Sequence, residues 1–150
     1  MYSAVLAADD PDLSAFADRG GKALLWHGAA DFGVPVQGTL HWYERVQRLL
    51  GGERTHDFLR LFLAPGVGHC GGGVGPQPTG AFEALVEWVE SGRAPEQLLA
   101  RQVDQTGAVV ATRPLFPYPR VARWTGEGDP ADAGSYAPAE GTRLELPPGS

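Results

Sequence analysis

The chain holds a single cysteine, Cys70, so no disulfide can close within it. It has no apolar run near the ~20 residues that a membrane helix needs. Its 12 Lys and Arg are scattered, and 18 Asp and Glu leave a formal net charge of −6. That balance argues against a nucleic-acid partner, because phosphate recognition needs a basic face. The apolar stretch 3–8 is too short for a signal peptide and no positive charge precedes it, so no export address is legible. No internal repeat occurs. What is present points to one folded domain rather than two: 150 residues, 43% of them hydrophobic. A chain of this length can bury roughly two thirds of its unfolded surface. Four Trp, six Phe and four Tyr supply a core or a substrate pocket.

In chain order, 1–21 is a polar lead-in. Asp9-Asp10-Pro11-Asp12 signals a turn or helix start, read as a solvated cap, with Leu13 and Phe16 free to dock on the core. Residues 23–27 form a strand, broken at Gly28. The loop after it carries Asp31 and closes at Pro35. An amphipathic helix covers 39–50, with Leu40, Tyr43, Val46 and Leu50 as its stripe and Gly51-Gly52 as its end. A second strand covers 58–64. A loop at 65–75 follows, in which six of eleven residues are Gly. It lacks the Walker spacing and lysine, and the Rossmann spacing does not fit either. A second helix at 79–90 has Thr79 as its cap and Phe82, Leu85, Val86 and Val89 as its stripe, with Gly92 ending it. This β-α-β-α order gives the α/β class. Beyond 94 the pattern becomes a hairpin of 98–103 and 108–112 around Thr106-Gly107. An extended Pro-rich run at 113–119 comes next. A Gly-, Pro- and acid-rich tail spans 126–150, its last dozen residues poorly ordered.

Two stretches carry the chemistry. Leu24-Leu25-Trp26-His27-Gly28-Ala29-Ala30-Asp31 and Leu61-Phe62-Leu63-Ala64-Pro65-Gly66-Val67-Gly68-His69-Cys70 each run apolar, turn through glycine and end on a polar residue. Buried strands read this way, and open parallel sheets place their sites at the carboxyl ends of their strands. Asp31 and His69 are therefore candidate partners at one rim. Asp before His matches the last two members of the Ser, Asp, His order of an α/β-hydrolase triad. An imidazole titrating near neutrality suits proton transfer, and a carboxylate fixes its tautomer. Taken alone, His69 reads more readily as a plain loop residue and Asp31 as an Asx-turn residue. His27 reads as a support for the loop. His27, Asp31, His69 and Cys70 are all ligand types, yet no CxxC or HxxxH spacing backs a metal site. No metal and no cofactor is expected. None of Ser3, Ser14, Ser91, Ser135 and Ser150 lies in a G-x-S-x-G elbow. Cys70 could act as a nucleophile beside His69, but neighbours on a chain rarely face each other.

These residues resemble the carboxyl-terminal part of the tannase/feruloyl esterase family of α/β-hydrolases. The resemblance runs from about residue 8 to 136. It rests on the Asp9–Phe16 stretch, Gly20-Gly21-Lys22, His27-Gly28 with Asp31, and Tyr43-Glu44-Arg45-Val46. It continues through Pro65-Gly66-Val67-Gly68-His69-Cys70-Gly71-Gly72-Gly73, its most specific part. Trp88-Val89-Glu90 with Gly92, Ala94-Pro95, Thr112-Arg113-Pro114-Leu115 and Pro117-Tyr118-Pro119 complete it. The resemblance implies a Ser-His-Asp ester hydrolase of aromatic-acid esters, with Asp31 and His69 as the catalytic residues of this chain. It implies that 1–125 is the end of the catalytic domain and that the nucleophilic Ser, the oxyanion hole and the substrate-selecting lid lie upstream. It also implies that Cys70 bonds an upstream cysteine beside that Ser, and that the compartment is secreted or periplasmic. The family's calcium site belongs to its lid, and no stretch here matches it.

The chain departs from the pattern at Ala29, where the family often has an aromatic residue. It also departs at Phe116 and Pro138, where the family usually has cysteines. The expected function is thus the carboxyl-terminal part of an ester hydrolase, inactive by itself. Its substrate in the intact enzyme is a small aromatic ester, with no nucleic-acid or membrane partner. The alternative is a non-catalytic remnant or split-enzyme subunit that binds a partner.

Overall fold

The apolar run after Lys22 forms β1 (Ala23–Gly28), which pairs in parallel with β2 (Leu59–Ala64), Ala23 opposite Leu59 and Gly28 opposite Ala64. The structure is a computed structural model and describes residues 8–146. Most of the apolar stretch 3–8 and the last four residues of the tail lie outside the described residues. Before β1, the short helix α1 (Ser14–Asp18) follows an Asx turn in which Asp12 accepts from the Ser14 amide. Leu13 packs on the core, and Phe16 meets Phe58 edge-on, ring centres 6.1 Å apart.

A parallel pair needs a crossover. Here it is α2 (Val36–Leu50) followed by α3 (Gly52–Phe58). Helix α2 starts three residues earlier than its stripe suggests. Gly51, at φ 87°, breaks the helix as expected, but the chain re-enters helix at once instead of extending. Thr55 stabilises that second start by donating both its amide and its hydroxyl to the Gly51 carbonyl. Phe58 is thus the last residue of α3, and β2 begins at Leu59.

Both faces of the β1–β2 pair are covered, as period-2 alternation requires. Leu59 and Leu61 face Tyr43 and Val46 of α2, Phe58 and Tyr118, with Ala23, Leu25 and Leu63 packed alongside. Phe62 and Ala64 face the other way, into a cluster with Val67, Leu98, Ala100 and Leu115 that Leu24, Trp26, Ala81 and Ala84 complete.

The second cluster comes from a small antiparallel sheet and a helix. Strand β3 (Gln77–Thr79), which no sequence pattern announced, pairs with β4 (Leu98–Val103), and β4 pairs with β5 (Val109–Leu115). Helix α4 (Ala81–Ser91) lies between β3 and β4. Thr79 does not cap it; its hydroxyl donates to the Leu99 carbonyl, and Gly80 in the left-handed region leads into the helix. The buried face of α4 is also not the one expected. Ala81, Ala84 and Trp88 turn inward, while Phe82 and Val89 stand in solvent. Alanines let the helix approach β1 closely, a fit that hydrophobicity alone does not reveal.

Beyond β5 the Pro-rich run returns to β2, where the Tyr118 amide donates to the Leu61 carbonyl at 2.7 Å. Strand β6 (Val121–Trp124) then pairs with β7 (Tyr136–Ala139) after a 3₁₀ turn at Ala133–Ser135. The segment read as a loose tail is therefore structured this far. The Leu144 amide also donates to the Tyr118 hydroxyl, and Arg143 to the Gln47 side chain. The class is α/β, mixed helix and sheet, with a parallel pair at its centre.

Candidate active site

Strands β1 and β2 end level with each other, and the loops beyond them are stitched by backbone. The Ala29 amide donates to the Ala64 carbonyl at 2.9 Å and the Ala30 amide to the Val67 carbonyl at 3.0 Å. Gly28 makes this approach possible. A Cβ there would run into the Val67 carbonyl. The glycine-rich loop folds on itself in the same way. The Gly68 amide donates to Gly72, the Gly75 amide to Gly66, and the Gln77 side chain to both the Gly72 and Gly75 carbonyls. Gln77 drew no notice in the sequence, since nothing local distinguishes it from a surface glutamine.

This framework brings Asp31 and His69 together. His69 Nδ1 lies 2.7 Å from Asp31 Oδ2. The other carboxylate oxygen, Oδ1, accepts from the Gly33 amide at 2.8 Å and the Val34 amide at 2.9 Å. The Asx turn and the partnership with His69 are thus both present, one on each oxygen. The Asp31 side chain is only 5% exposed. The Val34 amide above all, with His69 and the Gly33 amide, holds its carboxyl down to about 2 against the opposing effect of burial. An ionised Asp31 obliges His69 to present Nδ1–H, so Nε2 is the lone-pair nitrogen when the ring is neutral. Among the described residues nothing bonds Nε2, and the His69 side chain is 55% exposed.

His27 supports the loop. Its Nε2 lies 3.0 Å from the Val34 carbonyl, which can only accept, so Nε2 carries the proton and Nδ1 accepts from the Thr39 hydroxyl at 2.9 Å. The same Nε2 stands 3.5 Å from Asp31 Oδ2. Cys70 is exposed and free, at φ 55°, a conformation that costs a non-glycine residue energy. Among the described residues, no group of three or more His, Cys, Asp or Glu is placed to hold a metal ion. No helix among them is long and apolar enough to cross a membrane.

The pair opens on a shallow concavity of about 240 Å³ lined by Trp26, His27, Gly28, Asp31, Val34, Gly68, His69 and Cys70. Trp26 and Val34 give its lining an apolar part, and Val34 is exposed. A larger cleft of about 580 Å³ lies elsewhere, lined by residues that include His56, Arg60, Glu96 and Arg120. There Glu96 is already paired with both arginines, so the geometry favours the smaller site for chemistry.

An Asp–His pair at the carboxyl ends of two parallel strands can hold an imidazole in one tautomer and present its second nitrogen for proton transfer. Comparison with known proteins identifies the family. Residues 1–139 match the family described as tannase and feruloyl esterase, and the chain belongs to that family. It is 44% identical to the mono(2-hydroxyethyl) terephthalate hydrolase of Piscinibacter sakaiensis over 124 residues, 81% of this chain and 20% of that protein. It is 42% identical to a probable feruloyl esterase of Arthroderma benhamiae over 139 residues, 90% of this chain and 26% of that one. Among solved structures, an esterase from Aspergillus oryzae superposes with a TM-score of 0.82 at 30% identity, covering 87% of this chain and 29% of the esterase. The chain thus spans between a fifth and a third of the length of the relatives it matches.

Proposed function

We propose that this chain is the carboxyl-terminal part of a serine-type ester hydrolase acting on esters of aromatic acids, with His69 as general base and Asp31 as the carboxylate that orients it. The observation that carries the reading is the 2.7 Å bond from His69 Nδ1 to an Asp31 whose other oxygen is clamped by two amides. That clamp fixes the carboxylate, the carboxylate fixes the ring, and the ring directs Nε2 outward to a hydroxyl brought by another segment. The apolar side chains of Trp26 and Val34 in the lining support an apolar substrate.

In this reading His69 Nε2 accepts the serine proton as Oγ attacks the ester carbonyl. The imidazolium, stabilised by Asp31, then returns that proton to the departing alcohol, leaving an acyl-serine. Water attacks the acyl group, its proton passing to His69 and then to the serine as the free acid leaves. The serine, the oxyanion hole and the lid are assigned to polypeptide outside these 150 residues. Cys70, beside His69, is assigned a cross-link to that polypeptide, and an exported, oxidising compartment suits such a bond.

The test is a chimera in which this chain replaces the similar stretch of the Piscinibacter hydrolase. It should hydrolyse mono(2-hydroxyethyl) terephthalate or methyl ferulate. His69→Ala should lower kcat by about 10³-fold or more, as loss of a triad member does. A folded chimera in which His69→Ala leaves kcat unchanged would refute the assignment.

A further inference from the structure

We propose that the hollow bordered by β2, β5 and the β6–β7 pair is a second ligand site, which takes a small aromatic carboxylate with its ring among prolines and its charge on the guanidinium of Arg113. It is separate from the Asp31–His69 concavity, since no residue lines both. The site stands on its own geometry and does not rest on the hydrolase reading above.

Arg113 stands where a charge is costly. It lies opposite Ala100 in the β4–β5 register and two residues before Leu115. Cross-strand partners and residues two apart share a face of a sheet. Its side chain therefore leaves from the face on which Leu98, Ala100 and Leu115 pack with Phe62 of β2. A guanidinium so placed has to be held and paired. It is held. Its Cζ lies 4.4 Å from the centre of the Tyr136 ring, and Nη1 donates to the Thr112 carbonyl at 2.7 Å. Tyr136 is fixed in turn, its hydroxyl donating to the Pro130 carbonyl at 2.9 Å. Yet among the described residues no carboxylate pairs with Arg113, and no hydrogen bond engages its Nε or Nη2. Stack and carbonyl leave the planar fork preorganised, the form in which arginine receives a carboxylate through two parallel bonds.

The hollow beside it has a volume of about 350 Å³, near the small end of ligand sites. That suits one ring with a short arm better than a long acyl chain. Pro65, Pro76 and Pro114 form walls that lose no rotamer freedom when a ligand arrives, and Leu63 and Phe116 add apolar surface. No Asp or Glu among the described residues lines it. The other charge in the lining, Arg120, donates to Glu96 at 2.8 Å. Arg113 is thus the cation left without a counter-ion there. An apolar hollow with one fixed, uncompensated cation is complementary to an apolar group that carries one negative charge. Ala29 and Pro65 also border the hollow, and they open the loops that carry Asp31 and His69.

The test is a titration of the isotopically labelled 150-residue chain with cinnamate at neutral pH, followed by NMR. Saturable shifts are expected at Ala100, Arg113 and Ala122, and none at His27, Gly68 or Cys70. Cinnamamide keeps the ring and loses the charge, while acetate keeps the charge and loses the ring. Each should bind roughly tenfold more weakly or worse. Arg113→Gln should weaken cinnamate by a similar factor with the circular dichroism unchanged. Arg113→Lys should weaken it less, because a charge remains without the fork. If Arg113→Gln unfolds, the three ligands decide the matter by themselves. Absence of saturable binding, equal binding of cinnamate and cinnamamide, or shifts confined to the Asp31–His69 concavity would each overturn the site. The last of these would leave the hydrolase reading standing. Cinnamate bound at Arg113, beside a folded chimera without turnover, would support the site and sink only the hydrolase reading.

Discussion

Replacing Gly28 by alanine adds one methyl group and should be felt across the whole candidate site. The Cβ would fall on the Val67 carbonyl and within 2.8 Å of the Val67 carbonyl carbon. These are backbone atoms, so no side-chain rotation relieves the clash. Either β1 slips against β2, breaking the level ending of Gly28 and Ala64, or the turn at Val67 moves out. Either movement strains the amide bonds from Ala29 to Ala64 and from Ala30 to Val67, which set the spacing of the two loops. Overpacking of this kind costs about 1–3 kcal/mol. For a chain of this size that is roughly 2–12 °C of melting temperature. Gly38 supplies the control. It lies within α2, nothing stands within 4 Å of its Cβ position and its φ is ordinary, so Gly38→Ala should stabilise by about 0.5–1 kcal/mol through helix propensity alone. The same substitution is thus expected to carry opposite signs at two glycines. Thermal unfolding by circular dichroism reads the stabilities, and the downfield Nδ1 proton of His69 reports on its bond to Asp31. If Gly28→Ala melts within 1 °C of the parent and leaves that proton unmoved, the steric reasoning is wrong.

Two further outcomes follow from the core and from the carboxylate. Phe62 is fully buried between β2 and the second cluster, and Phe62→Ala should cost about 3–5 kcal/mol in urea unfolding; a loss under 1 kcal/mol would mean that the cluster collapses around the void. Asp31 has a folded-state pKa near 2, below its unfolded value of about 4, so its ionised form favours the fold. That contribution is fully present above pH ~4 and is lost as the pH falls toward 2. Asp31→Asn should flatten the acid limb of melting temperature against pH in this window, and parallel limbs in parent and variant would count against the assignment.

Much of this arrangement is readable from residue order, because the parts that matter most are the most apolar. The runs 23–28 and 59–64 are strands, and the two helices that flank them carry their apolar residues at helical spacing. The meeting of Asp31 and His69 follows from one rule, that sites gather where parallel strands end. What escaped notice depends on particular hydrogen bonds and close packing that apolar spacing does not show. Helix α3 is short and polar, and it forms because Thr55 finds the Gly51 carbonyl. Strand β3 contains a proline and exists through its pairing with β4. The inward face of α4 is set by closeness, which favours Ala81 and Ala84 over the more hydrophobic Phe82 and Val89. Strand β7 contains Pro138 and closes against β6 only after Asp129 and Asp132 have turned the chain, each accepting an amide two residues on.

The clamp on Asp31 is built from main-chain amides, at Gly33 and Val34, and the stitching of its loop comes from those of Ala29 and Ala30. Main-chain groups are common to almost every residue type. The side chains at 29, 30, 32 and 34 are therefore largely released from the task of holding the acid in place, and all four are exposed. An alanine at 29 is then no handicap to the pair. Positions 32 and 34 can be exchanged without disturbing the amides that hold the carboxylate. A loop held through its main chain can change its surface without moving the acid it carries.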